Sequence, residues 1–204
     1  MIGPKEKKER ALGTRLNLKA ERSASPKSAV SRKPYHPGMH GQKRRRQPSD
    51  FGLQLKEKQK FKLSYGLKEK QLREIFDQAI KAGGVTRDKV FEILESRLDN
   101  VVYRLGLVGS RIIAHQAVRH GHIAVNGHRV NYPSFKVKKG DKISLVESSK
   151  EIGLFRNLSE KLKKYNPPTW LSLDLDQKVG EVISLPHDID LPFDANLVVE
   201  FYSR

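Results

Sequence analysis

The chain has 204 residues, with 40 Lys+Arg against 23 Asp+Glu for a formal charge of +17, and it contains no cysteine. That composition excludes a disulfide framework, a thiolate metal site and a cysteine nucleophile, and no run approaches the roughly 20 apolar residues of a membrane-spanning helix. The start, MIGPKEKKER, lacks the apolar stretch of a secretory signal, so the expectation is a soluble intracellular protein with a polyanionic partner.

The charge is unevenly placed. Residues 1–62 hold 18 basic and 5 acidic side chains, residues 63–165 hold 20 and 11, and residues 166–204 hold 2 and 7. A basic block followed by an acidic tail reads as nucleic-acid binding rather than as a mixed solubility surface. The competing reading, a membrane-surface helix, needs an apolar stripe that residues 1–49 do not have.

Residues 1–49 carry Gly, Pro, Ser and basic residues with few large hydrophobes, and end in Lys43-Arg44-Arg45-Arg46. Alone, such a segment is expected to stay largely disordered, because it buries too little apolar surface to offset its ordering entropy. The loop Tyr35–Gly41 and the Lys43–Arg46 run are read as an arm that shapes itself on RNA. Three short amphipathic helices follow. The first is capped at Ser49 or Asp50 and presents Phe51, Leu55, Lys58 and Lys62 at helical spacing. The second, about Lys68–Ala82, has Leu72, Ile75, Phe76, Ala79 and Ile80 on one face. Thr86 is expected to cap the third, with Val90, Phe91 and Leu94 facing inward.

From Arg97 the pattern changes. A helix over Arg97–Leu105 buries Leu98, Val101, Val102 and Leu105, and its other side carries Arg97, Asn100 and Arg104. Ser110 caps a second helix that ends at Gly121, with Arg111, His115 and Arg119 spaced by four on its polar face. The period then becomes two. Asn126-Gly127 marks a hairpin between Ile123–Val125 and Val130, Lys136–Asp141 is a turn, and Ile143–Val146 is a strand. Beyond it we expect a helix near Phe155–Tyr165, a Pro167-Pro168 break, and strands at Trp170–Leu175, Val179–Leu185 and Leu197–Tyr202.

Two adjacent helices with basic stripes can straddle the phosphates of folded RNA, with arginine supplying bidentate contacts. Gln116, His120, His122 and Asn126 add hydrogen-bonding groups near the helix–hairpin corner, suited to 2′-hydroxyls and base edges. Lys138 and Lys139 sit at a hairpin tip, a weaker case. Tyr35, Tyr103 and Trp170 could stack on bases, although Trp170 fits a packing role in the C-terminal sheet better. On this reading Arg104→Glu or Arg111→Glu weakens RNA binding and leaves the fold intact. His36 and His40 have metal-like spacing but no neighbouring carboxylate ligand, and no phosphate-cradling glycine loop is present. The acids Asp174, Asp176, Asp188, Asp190 and Asp194 form a solvated edge that would face a basic protein.

The segments Arg97-Leu98-Asp99-Asn100-Val101-Val102-Tyr103-Arg104-Leu105-Gly106 and His120-Gly121-His122-Ile123-Ala124-Val125-Asn126-Gly127 resemble the RNA-binding module named after one protein of the small ribosomal subunit. That module also occurs in pseudouridine synthases and some tRNA synthetases. The flanks extend the match. Pro37-Gly38-Met39-His40-Gly41, Phe51–Lys60, Tyr65-Gly66, Pro168-Thr169-Trp170-Leu171 and Val199–Arg204 resemble the bacterial-type small-subunit ribosomal protein number four (S-four) family over nearly the whole chain, most loosely at residues 1–34. The resemblance implies a primary binder of 16S ribosomal RNA that helps nucleate assembly of the subunit body, lies near ribosomal proteins five and twelve, and influences decoding accuracy. It implies no enzyme activity. Some relatives bind zinc through four N-terminal cysteines; this chain has none, so no zinc and no other cofactor is inferred. The acidic tail is expected to meet protein five.

The expected fold class is α+β: a basic arm (1–49), a helical domain (50–96), an RNA-binding module of two helices on a small antiparallel sheet (97–160), and an acidic extension packed on that module (161–204). Two rivals remain. An RNA-modifying enzyme would need a catalytic domain that the 57 residues after 147 scarcely supply. A generic polyanion-compacting protein would bind any nucleic acid alike.

Overall fold

The computed structural model describes residues 4–203 except 20, 21, 24, 44, 45, 157, 164, 176, 188 and 190–192, and the backbone alone of Lys161. In chain order the helices are α1 (Lys5–Leu12), α2 (Ala29–Arg32), α3 (Asp50–Tyr65), α4 (Glu69–Ala82), α5 (Thr86–Glu95), α6 (Leu98–Arg104), α7 (Arg111–Arg119), α8 (Leu158–Leu162) and α9 (Ala195–Tyr202). The strands are β1 (Ile123–Val125), β2 (His128–Val130), β3 (Lys142–Leu145), β4 (Leu171–Asp174) and β5 (Val179–Val182). The architecture is α+β. The chain divides into two compact units, Met1–Val90 with Asp190–Arg204, and Phe91–Ile189. The division falls within α5, and it parts the C-terminal segment, which the sequence reading treated as one extension of the module.

In the first unit the N-terminal segment departs from the expected unstructured tail. Leu16 and Leu18 are buried, and the fully buried Glu9 accepts the backbone N–H of both, at 2.9 and 3.2 Å. Arg10 donates to the carbonyls of Lys33 and Tyr35 and lies 4.9 Å from the Tyr35 ring centre. Glu6 accepts from the Ala29 amide and pairs with Arg22 at 2.8 Å. A few long polar side chains bonded to backbone tie this loop together, a device that average hydrophobicity does not register. The loop Tyr35–Gly41 is tightly shaped: a Cβ on Gly41 would lie 1.9 Å from the His36 carbonyl oxygen.

Helix α3 begins where its cap was read, with Ser49 Oγ accepting the Gly52 amide at 3.3 Å. Its buried stripe, however, is Gln54, Lys58, Phe61, Ser64 and Tyr65, and Phe51 and Leu53 are exposed. The cause is α9, which packs along α3. Gln54 donates to Glu200 at 3.0 Å, and the Lys58 ammonium lies 4.2 Å from the Phe201 ring centre. Tyr202 stacks on Phe76 of α4 at 4.4 Å. The strand expected at Leu197–Tyr202 is therefore a helix. Asp194 accepts the Asn196 amide at 2.8 Å to cap it, and packing overrides the β-preference of its Val and aromatic residues.

The second unit is the two-helix-on-sheet arrangement that the pattern from Arg97 predicts. Leu98, Val101 and Val102 of α6, Leu105 just after it, and Ala114, Ala117 and Val118 of α7 share a core with Ile123, Val125, Ile143 and Leu145. Asn126 and Gly127 have positive φ (50° and 81°), as the tight hairpin turn requires, and pair Ile123 with Val130. The sheet is larger than expected. All neighbours are antiparallel, in the order β2-β1-β3-β5-β4. β4 and β5 thus extend the module's own sheet, and Trp170, Leu171 and Val182 complete its core.

Candidate nucleic-acid interface

The two basic stripes come together, but largely to close on buried acids. Glu95, at the end of α5, is fully buried; Arg104 donates to its two oxygens at 2.8 and 3.0 Å, and Asn100 Nδ2 at 2.5 Å. Arg111 donates to Asn100 Oδ1 at 2.6 Å, approaches Glu95 at 3.5 Å and lies over the Tyr103 ring. Beside this cluster, Arg97 grips Asp99 through two hydrogen bonds of 3.1 and 2.8 Å, and His115 Nδ1 lies 3.1 Å from the same carboxylate. The side chains of Arg97, Arg104 and Arg111 are 13%, 19% and 13% exposed, whereas His115 is 57% exposed. The expectation that charge reversal at Arg104 or Arg111 spares the fold is thereby corrected. Either change sets a new carboxylate against the buried Glu95.

The freely presented groups lie elsewhere on the module. Gln116, Arg119 and His120 are exposed at the end of α7. His122 stands beside them, its ring 5.9 Å from that of His120, with Nδ1 at 2.9 Å from Ser149 Oγ. Burial lowers the His122 pKa below the ordinary 6.5, and the charges of His120 and Arg129 act in the same direction, so at pH 7 it is a neutral hydrogen-bonding group. Asn126 serves the framework: its side chain donates to Asp141 and accepts from the Lys142 amide, both at 2.9 Å. Lys138 and Lys139 are exposed at the next turn, where Asp141 accepts the Lys138 amide. Lys43 and Arg46 are exposed in the other unit, and Arg44 and Arg45 lie outside the described residues.

The sequence reading missed Arg129. It projects from β2 opposite Ala124 and donates to the His120 carbonyl at 3.0 Å, against Gly121. The signal was available, because the Asn126-Gly127 turn fixes which residue of the return strand faces Ala124. Arg129 adds a cation at the C-terminal end of α7, where the helix dipole favours one. Of the proposed base-stacking residues, Tyr35 is covered by Arg10, Tyr103 by Arg111, and Trp170 is buried.

A helical pair laid on a small sheet, with an exposed basic corner, defines the class: residues 96–143 match the profile of the S4 domain, and residues 1–95 that of the ribosomal protein S4/S9 N-terminal domain. The chain is 50% identical over 205 residues to small ribosomal subunit protein uS4 of Thermus thermophilus, covering 100% of this chain and 98% of that protein. It is 49% identical to uS4 of Halothermothrix orenii, over 94% of this chain and 93% of the relative, and 46% identical to uS4 of Syntrophomonas wolfei over the same shares. The chain belongs to the uS4 family of small-subunit ribosomal proteins, a family of ribosome components rather than enzymes.

Proposed function

We propose that this chain is a structural constituent of the small ribosomal subunit in the cytoplasm, binding 16S ribosomal RNA as a primary binder that helps nucleate assembly of the subunit body and contributes to translational accuracy. The observation that carries the reading is the end-to-end match to uS4, which spans both compact units. The geometry supports a division of labour within it. Arg119, His120, His122, Gln116, Lys138 and Lys139, with Arg129, contact phosphates, 2′-hydroxyls and base edges. Arg97, Arg104, Arg111 and His115 hold the α6–α7 face in shape and offer their outward N–H groups to the same RNA, while Asn126 braces the hairpin turn beside it. The segment 1–49, through Lys43–Arg46, forms a second contact.

The test is binding of the full chain to 16S RNA and to a scrambled RNA of equal length across a salt series. For about 6–10 phosphate contacts, affinity falls on the order of 10³–10⁵-fold between 50 and 200 mM salt. The reading expects the 16S RNA to keep a large advantage at high salt. Equal decline of both RNAs overturns it in favour of a generic polyanion binder.

Within the subunit, the acidic segment 161–204 meets ribosomal protein five. Support comes from exposed Asp174 on the edge strand β4 and exposed Glu181 on its neighbour β5, beside exposed Leu175, Ile183 and Leu185. Asp194 and Glu200 are instead engaged within the first unit, and Asp176, Asp188 and Asp190 lie outside the described residues. A carbodiimide joining Asp174 or Glu181 to lysines of protein five in reconstituted subunits is the expected result; cross-links only to other proteins overturn it.

A further inference from the structure

We propose that Tyr132 is a platform on which one unpaired base of the RNA stacks; the inference rests on the RNA-binding reading above and adds to it the recognition of a single-stranded nucleotide. Tyr132 opens a turn in which the Phe135 amide donates to its carbonyl at 3.0 Å, and Pro133 restricts the backbone between them. The turn is bonded to α6. The carbonyls of Phe135 and Pro133 accept the amides of Leu98 and Asp99, at 2.8 and 3.1 Å, and the Val137 amide donates to Ser96 at 2.9 Å. Those bonds satisfy the first N–H groups of the helix, which otherwise lack partners, and hold the turn rigid.

On this fixed mount the Tyr132 side chain is 69% exposed, and among the described residues no hydrogen bond or ring contact engages it. The other tyrosines of the unit are engaged: Tyr103 lies under Arg111, and the Tyr165 hydroxyl donates to the Arg104 carbonyl. The backbone under the ring is fixed, while the ring itself stands in water, contributes nothing to the core and leaves its face open to a flat partner. Cations stand close by in the backbone framework. Lys136 is exposed and bridges to Arg97, and Asp99, bonded to the turn, carries Arg97 and His115. An exposed aromatic ring on a turn that also carries the exposed Lys136 suits a splayed base and its phosphate.

The experiment compares the wild-type full chain with Tyr132→Phe, Tyr132→Ala and Lys136→Ala in the same salt series, on 16S RNA and on scrambled RNA, with near-ultraviolet circular dichroism confirming the fold. Tyr132→Ala is expected to weaken 16S binding about 10-fold with the salt slope unchanged, because stacking releases no counterions. Tyr132→Phe should bind like the wild type, and Lys136→Ala should reduce the slope by about one. Wild-type affinity for Tyr132→Ala, or equal losses in Tyr132→Phe and Tyr132→Ala, overturns the stacking role. A Tyr132→Ala variant that binds RNA normally but loses a neighbouring protein in reconstituted subunits also overturns it. A wild type with no preference for 16S RNA defeats the ribosomal reading instead, while the Tyr132→Ala to wild-type ratio still decides the stack.

Discussion

Arg104 grips the fully buried carboxylate of Glu95, nine residues earlier in the chain, through two hydrogen bonds of 2.8 and 3.0 Å. Asn100 and Arg111 complete the cluster, so that one acid at the end of α5 organises both helices of the RNA-binding module. A buried carboxylate is costly unless its charge and lone pairs are answered. What reads along the chain as a row of basic residues for RNA is thus first a structural lock.

Arg104→Glu should cost about 3–5 kcal/mol in urea unfolding, the range for leaving a buried charge uncompensated, and Arg104→Gln less, since Glu95 keeps Asn100 and Arg111. Arg119→Glu, on the exposed end of α7, should change stability by no more than about 0.5 kcal/mol while weakening RNA binding. Equal unfolding midpoints for Arg104→Glu and Arg119→Glu would remove the lock.

Gly180 on β5 faces Leu105, which follows α6, so closely that an added Cβ would lie 2.4 Å from Leu105 Cδ1. Leu105 is fully buried, so any shift of its side chain disturbs the packing of the core. Gly180→Ala should therefore destabilise by about 1–3 kcal/mol. Combined with Leu105→Ala, which opens space at the same place, its cost should fall well short of the sum of the single changes. Additive thermal unfolding data would show that the two residues do not share a contact.

Glu69 ties α4 to α3. Burial works to raise its pKa, but hydrogen bonds and charge from Lys58 and Lys62, at 2.7 and 2.8 Å, outweigh this and hold it at about 2. Its folded pKa lies below the unfolded value near 4.5, so the stabilisation is complete above pH 4.5 and is lost as pH falls toward 2. The side chain is half exposed, and screening limits the contribution to about 1 kcal/mol. Wild type and Glu69→Gln should accordingly differ in stability at pH 6 and converge by about pH 2; a constant difference across that window contradicts the assignment. The neighbouring Tyr202 hydroxyl, which donates to Glu69 at 3.1 Å, is pushed above its ordinary range by burial and by the Glu69 charge.

The helices and hairpin between Ser49 and Leu145 were legible because their signals are local. Caps at Ser49 and Ser110, apolar spacing along α4, α6 and α7, and the Asn126-Gly127 turn each act within a few residues. The arginines of the module were legible as a cluster for the same reason. Their engagement was not, since Glu95 answers Arg104 and Arg111 only once α5, α6 and α7 are brought together.

The sequence by itself thus determined the two-helix module, its hairpin and the family. Only the tertiary structure decided which face of α3 is buried, that Leu197–Tyr202 is helical, and that β4 and β5 extend the module's sheet. Those outcomes depend on partners far along the chain, as with Gln54 and Glu200, 146 residues apart. Local propensity differs by at most about 1 kcal/mol between ordinary residues, and burial of a few large side chains against a remote element outweighs it.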